Sequence, residues 1–177
     1  MLLPNLQVSI LVDYAHEPES MRQLLSTLAG WRDNGIYNRI IHVVSCDGAG
    51  RDDWKKPILG KLSSQHADFS IMTTENYDQR DNPVQILELL TKDLVDDQNN
   101  IKFVKVIDRH EAFITAMQKA EQYAQDSQEN LKVLIVSTGV GAEQGLIRPS
   151  GKIVWDERQI WREVFESSAM VGTKTYL

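Results

Sequence analysis

Four polar stretches of this chain combine small residues with groups able to grip a charged ligand: Asp13-Tyr14-Ala15-His16; Asp47-Gly48-Ala49-Gly50-Arg51-Asp52-Asp53-Trp54-Lys55-Lys56-Pro57; Thr73-Thr74-Glu75-Asn76-Tyr77-Asp78-Gln79-Arg80-Asp81-Asn82-Pro83; and Thr138-Gly139-Val140-Gly141-Ala142-Glu143-Gln144-Gly145. The second is the most informative. Its small residues permit a tight turn and a close backbone approach to an anion. Arg51 offers a planar fork for a carboxylate or phosphate. Lys55 and Lys56 stand just before Pro57, near the start of a helix, where anions bind favourably. The same residues also describe a surface loop with a solvated basic pair, and their chemistry alone leaves both readings open.

The remaining reactive side chains give weaker signals. His16 could contact a ligand or act as a general base, although a lone histidine at a strand end is more often structural. His42 falls in a strand and reads as packed, while His66 and His110 read as helix-end residues. Cys46 ends a strand without an activating neighbour, so it reads as a small buried residue rather than a nucleophile. No spacing of His, Cys, Asp and Glu matches a metal site. Residues 145–153 approach a phosphate-binding P-loop but do not match it. Their Gly151-Lys152 pair comes one residue too late, and Ile153 stands where a hydroxyl should hold magnesium.

These stretches must be positioned by the elements between them. Apolar runs at residues 8–12, 40–46, 69–72, 103–107 and 133–137 read as buried strands. Helical spacing links Met21, Leu24, Leu25 and Leu28; Ile58, Leu59 and Leu62 after Pro57; and Ile86, Leu87, Leu90 and Leu94 after Pro83. It recurs in Ala112, Phe113, Ala116, Met117 and Ala120, and in Ile160, Trp161, Val164 and Phe165. Pro18, like Pro57 and Pro83, suits the first turn of a helix. Strict alternation of strand and helix predicts parallel βαβ units. The fold class is therefore α/β, a Rossmann-like three-layer sandwich with a mostly parallel sheet of about six strands. The run 152–155 reads as a sixth, antiparallel strand at an edge. In such a sheet the loops leaving the strand C-termini converge on one edge, where ligands bind. All four polar stretches belong to that edge.

Composition sets outer bounds. At 177 residues the chain is expected to form one domain with a substantial core, with residues 1–6 as a hinge remnant and 167–177 as a tail. Apolar residues make up 42% and charged residues 25%, which is ordinary for a soluble protein. The net charge is −6 without a basic block, so wholesale binding of a nucleic-acid backbone is not expected. A single cysteine excludes an internal disulfide and fits a reducing compartment. Met1-Leu2-Leu3 is followed at once by Pro4, Asn5 and Gln7, neither a signal peptide nor a membrane span. The expectation is a cytoplasmic protein with no membrane partner.

Taken together and in order, the stretches resemble the C-terminal domain of the Mur ligase family. Val12-Asp13-Tyr14-Ala15-His16-Glu17-Pro18 resembles the family's "VDYAHTP" motif, in the UDP-N-acetylmuramoyl-tripeptide synthetase branch that adds the third residue of the peptidoglycan stem. Residues 48–57 are similar to "GGDRDxGKRP", one residue longer. Thr73-Thr74-Glu75-Asn76 resembles "TSDN", and Asp81-Asn82-Pro83 its trailing "E-D-P". Thr138-Gly139-Val140-Gly141-Ala142-Glu143 is similar to "GKGHE", and Asp156-Glu157-Arg158 to "DDR". The chain departs from the pattern where diaminopimelate-adding members read "DNPR": Tyr77-Asp78 follow Asn76 here, and the nearest arginine, Arg80, is displaced by two. The lysine and histidine of "GKGHE" are Val140 and Ala142.

The resemblance implies a domain detached from a longer, three-domain ligase, whose central domain carries the ATPase Walker loop. It implies ATP-dependent amide formation through an acyl phosphate, with ATP and Mg2+ held mainly by that central domain in the same or another chain. The substrates would be an amino acid and a UDP-N-acetylmuramoyl-peptide. By position, Asp13, Tyr14 and His16 would approach the nucleotide. Arg51, Asp52, Asn76, Gly139 and Glu143 would bind the amino acid, and Lys55 and Lys56 would lie near an anion. Two alternatives remain: a ligase domain of the folylpolyglutamate synthase type, and a non-catalytic metabolite-binding module or partner subunit of a separate ATPase chain.

Overall fold

The computed structural model describes residues 3–48, 50–94, 102–127, 129–168 and 171–176. Five strands alternate with four helices along the chain: β1 (Leu3–Val12), α1 (Pro18–Asp33), β2 (Arg39–Cys46), α2 (Lys56–His66), β3 (Phe69–Thr74), α3 (Pro83–Thr91), β4 (Phe103–Lys105), α4 (Arg109–Gln125) and β5 (Leu131–Ser137). A hairpin of β6 (Gly145–Arg148) and β7 (Gly151–Val154) follows, then α5 (Glu157–Ser167) and β8 (Val171–Tyr176). The main sheet has the order β4-β3-β2-β5-β1-β8. All its neighbours pair parallel, as the alternation predicts.

Alternate strand residues feed opposite faces of the sheet, so the strands read as unbroken apolar runs. Val44, Cys46 and Met72 pack against Met21 and Leu25 of α1, Leu59 and Leu62 of α2, and Ile86, Leu87 and Leu90 of α3. Leu134 and Val136 meet Leu28 of α1. On the other face Leu6, Val8, Ile10, Ile41, Val43, Val133 and Ile135 pack against α4 and against Trp161, Val164 and Phe165 of α5. Each fully buried aliphatic side chain of this kind contributes roughly 1.5–3 kcal/mol. The result is the expected three-layer sandwich.

Two segments differ from the reading of the sequence. The run 152–155 does form an antiparallel strand, β7, but it pairs with β6 in a separate two-stranded ribbon rather than at the sheet edge. The sixth strand of the sheet is β8, drawn from residues read as a tail, and it lies beside β1. β1 itself starts at Leu3, within the residues read as a hinge remnant. Pro4 hid this start. It is tolerated because the ladder to β5 begins only at Leu6, and the register with β8 shifts between Leu3 and Gln7. Among the described residues no helix is long and apolar enough to cross a membrane.

One buried ion pair ties the α4–α5 layer to the sheet edge. Arg109 and Glu157 are both wholly buried. Arg109 donates to the Glu157 carboxylate from Nε (2.9 Å) and Nη2 (2.7 Å), and Nη2 also donates to the Thr138 carbonyl at 3.0 Å. Trp155 Nε1 donates to the same carboxylate at 3.3 Å. The guanidinium lies over the Phe113 ring, which stacks on Trp161 with centroids 4.0 Å apart. Buried charges are costly unless matched, so the loss of one partner exceeds the worth of the pair. Glu157→Gln is expected to destabilise the fold by about 3–5 kcal/mol in urea denaturation, whereas Arg109→Met combined with Glu157→Leu should cost much less. A double variant as unstable as the single one would contradict this account.

Candidate functional site

The loops after β1, β2, β3 and β5 meet at the C-terminal edge of the sheet. In the first, Asp13 donates its backbone N–H to the Ser137 carbonyl (2.9 Å), and its Oδ1 accepts from the Ala15 N–H (2.7 Å). This tight turn lifts Tyr14 and His16 outward. Their rings contact edge to face at 4.8 Å, and His16 Nδ1 lies 2.8 Å from the Tyr14 carbonyl oxygen. Tyr14 then crosses to the loop after β5, where its hydroxyl donates to Glu143 Oε1 at 2.9 Å. That carboxylate raises the tyrosine pKa above its ordinary value, with smaller contributions from burial, Glu75 and Asp47.

The loop after β5 turns through Gly139 at φ +102°, a conformation that side-chain-bearing residues rarely adopt. A Cβ there would also lie 1.8 Å from Glu75 Oε1. Glu75 is therefore seated directly against the glycine. Its Oε1 accepts from the Ser45 hydroxyl at 2.9 Å, and Ser45 also donates to the Thr138 carbonyl at 3.1 Å. Burial, followed by the neighbouring Asp47 carboxylate, pushes the Glu75 pKa up to about 7. Below this lies His42, fully buried between Ser63 Oγ (2.8 Å) and Thr138 Oγ1 (2.9 Å). Burial first, then Arg109, lowers its pKa to about 3, so it stays neutral and structural, as its strand position suggested. Burial likewise pushes the Cys46 thiol well above its ordinary range, consistent with a packed residue.

Two adjoining clefts open over this floor, and Asp47 and Arg51 line both. The larger, about 250 Å³, is walled by Asp47, Arg51, Asn76, Tyr77, Asp78 and Arg80. The smaller reaches His16, Asp52, Lys55 and Glu75. Four of the residues expected to bind a ligand therefore converge: Arg51, Asp52, Asn76 and Lys55. Gly139 forms part of the floor, against Glu75. Asn76 is already committed to the chain itself. It donates from Nδ2 to Asp47 Oδ1 (3.0 Å) and accepts from the Ile147 N–H at 2.9 Å, docking the β6–β7 ribbon onto the cleft wall. Lys55 is held by Glu17 Oε1 at 2.6 Å and Asp52 Oδ2 at 3.6 Å, so it joins the second loop to the start of α1. Lys56 is buried and paired with Asp53, one turn back, facing a separate cleft beside α3 rather than standing open at the helix start. Asp52 is exposed in a left-handed conformation (φ 52°). Reading the sequence did not single out Glu75, Asp47 or the Arg109–Glu157 pair as parts of this site. Asp47 and Glu75 stood at strand ends in the polar loops, which was the available signal. Among the described residues no group of three or more His, Cys, Asp or Glu side chains could hold a metal ion.

Comparison with known proteins agrees with the arrangement. Residues 3–138 match the family described as "Mur ligase, glutamate ligase domain". A UDP-N-acetylmuramoyl-L-alanyl-D-glutamate--2,6-diaminopimelate ligase from Clostridium perfringens is 32% identical, over 92% of this chain and 30% of its own length. The ligase of the same description from Clostridium botulinum is 30% identical with the same coverage. The chain thus spans about 30% of the length of these relatives. A solved diaminopimelate ligase superposes with a TM-score of 0.68 at 22% identity, over 89% of this chain and 29% of that one. Folylpolyglutamate synthase from Mycobacterium tuberculosis gives 0.55 at 20%, over 73% of this chain and 26% of that one. At these identities the structural likenesses establish the fold alone.

The buried acid beneath the cleft makes stability depend on pH. Between its ordinary value of 4.5 and about 7, Glu75 binds a proton in the folded state that the unfolded chain releases. Its contribution is therefore fully present below about 4.5 and is lost as pH rises through 7. His42 acts in the opposite sense, because its contribution is present above 6.5 and is lost as pH falls towards 3. Glu75→Gln keeps an acceptor for Ser45 and removes the titration. The variant should be more stable than the parent at about pH 8, by on the order of 3 kcal/mol, with most of that advantage gone by about pH 5. Thermal unfolding across this range checks it, and a difference independent of pH would refute the assignment.

Proposed function

The chain belongs to the Mur ligase family, as its glutamate ligase domain, and from that premise we propose that it is the amino-acid-binding, nucleotide-closing part of an ATP-dependent ligase of peptidoglycan synthesis. In this reading the domain presents an amino acid to the activated carboxylate of a UDP-N-acetylmuramoyl-peptide, and an amide bond forms. The observation that carries it is the cleft at the sheet edge, where Arg51 stands beside Asp47 and above Glu75. An amino acid carries the two charges this arrangement complements. Arg51 takes the carboxylate through paired N–H groups, and Asp47 or Glu75 takes the ammonium. Gly139, seated against Glu75, and Glu143, held by Tyr14, would complete the hold on the amino acid from the loop after β5. Orientation of the amine is the contribution such a domain makes to rate.

Asp13, Tyr14 and His16 fit the border of a nucleotide. Tyr14 and His16 present exposed ring faces, and an apolar groove lined by Leu11, Leu24 and Trp31 runs beside them. ATP supplies the activation of the accepting carboxylate. The sequence contains no phosphate-cradling loop, so triphosphate and Mg2+ would be held mainly by a central ATPase domain, in the same or another chain. This reading also fits a cytoplasmic setting, where UDP-linked precursors are found. The folylpolyglutamate synthase likeness concerns the fold, whereas the two Clostridium relatives at 30% and 32% identity carry the diaminopimelate ligase description.

Two outcomes test the reading. The purified chain should not turn over ATP by itself. Sustained release of phosphate would favour an independent enzyme. Arg51→Ala should weaken binding of the amino acid by roughly 1.5–3 kcal/mol, about 10- to 100-fold, as expected for loss of a charge-assisted pair. Calorimetric titration of parent and variant measures this, and equal affinities would retire Arg51 from the site.

A further inference from the structure

A further cleft, of about 340 Å³, opens between the loop after β2 and helix α3. Gly48, Arg80 and Asp81 line both this cleft and the larger of the two at the sheet edge, and form the partition between them. The Asp81 carboxylate packs against Gly48 so closely that a Cβ there would lie 2.6 Å from its Oδ2. Beyond the partition stands Lys56, whose side chain is only 2% exposed. Lysine is rarely buried so completely, and its ammonium carries three N–H donors. Among the described residues Lys56 has one hydrogen-bond acceptor, the half-exposed Asp53. The chain thus leaves a buried cation short of acceptors, and an unmet donor in such a place is costly. More hydrogen-bonding capacity lines the same space. Asn82 caps α3 by accepting from the Val84 N–H through Oδ1, which leaves its amide N–H groups to donate. Among the described residues the Gln85 amide has no partner of its own. Ile86 and Leu89 add an apolar strip along α3.

The charges of this cleft cancel. Asp53 and Asp81 stand against Lys56 and Arg80, and Arg80 is engaged by Asp78 as well. An anion entering here meets two carboxylates, whose repulsion offsets the attraction of Lys56. A cation meets the lysine and the arginine. What the cleft offers instead is a mixture of N–H donors, carboxylate and amide acceptors, and one apolar strip. A hydroxyl group donates and accepts at once, so several hydroxyls on one ring complement that mixture. The C–H face of the ring then covers Ile86 and Leu89. The volume lies near the lower end of ligand pockets, roughly 300–1,000 Å³, which suits a single ring. We infer that this cleft is a second binding site, for a neutral polyhydroxylated ring of monosaccharide or cyclitol size, anchored by Lys56. The inference goes beyond the amino-acid-binding reading and does not depend on it.

The test titrates the chain with D-glucose, N-acetyl-D-glucosamine and myo-inositol, and with inorganic phosphate as the charged control, read by amide chemical-shift changes. At least one polyol should bind with a dissociation constant on the order of 1 mM, as expected for a ligand of about a dozen heavy atoms. It should move the resonances of residues 53–56 and 82–89 together, while phosphate leaves them in place. Lys56→Met should weaken that binding about tenfold or more, because a charge-assisted donor is lost. Lys56 is buried, so a second variant guards against a failure to fold. Asn82→Asp keeps the cap of α3 and removes the amide donors, and should weaken binding about fivefold. The amide spectrum itself reports that each variant is folded. No response to any of the three polyols overturns the inference. So does a response to phosphate in their place, or polyol binding that Asn82→Asp leaves unchanged.

Discussion

Where the chain leaves β5, the single residue Thr138 receives buried hydrogen bonds from two directions. Its carbonyl accepts from Ser45 on β2 and from Arg109 on α4, while its hydroxyl meets His42. The arginine is fixed in turn by Glu157 at the start of α5. A polar atom in this interior costs more unpaired than a bond returns when formed. The strand end is therefore held in one position, and so is the glycine turn that follows. Gly139 sets where Glu75 lies, Glu75 forms the floor of the cleft, and Tyr14 bridges from the first loop to Glu143 in the same turn. The network explains how four loops, individually without regular structure, arrive at one place.

Much of this was legible in the sequence because it is local. The strands are buried on both faces and so appear as continuous β-branched runs. Each helix carries its apolar residues at three- and four-residue spacing, and three of them open on a proline. The segments that were not legible depend on distant partners. β8 is a short, polar stretch whose strand character comes from the ladder beside β1. For β7 the strand itself was legible and its place was not: all its residues are exposed, and only pairing with β6 and the docking bond to Asn76 set it in a separate ribbon.

The site divides in the same way. The four loops, the arginine and the glycines could be identified from residue types at strand ends. The seating of Glu75 could not, because its burial is produced by Gly139, more than sixty positions away. Nor could the Arg109–Glu157 pair, since a charged residue at the first position of a helix ordinarily faces water. In the structure Arg109 opens α4 after its Asp108 cap, and Glu157 opens α5 after its Asp156 cap. What the local reading omits is that these two helix starts face each other across the interior.

Charge pairing in the loops follows a rule that the sequence does contain. Asp78 and Arg80 are two apart, Asp52 and Lys55 three, and Asp53 and Lys56 three. A carboxylate so near in the chain finds its cation with little loss of conformational entropy, whatever the rest of the fold does. Pairs of this kind form before any ligand arrives, and they subtract from the charge that a binding cleft can offer. Arg51 has Asp52 and Asp53 immediately after it, yet in the left-handed turn at Asp52 both carboxylates go to lysines on the following helical turn. The turn therefore does two things at once: it neutralises the lysines, and it leaves the guanidinium of Arg51 to face the cleft.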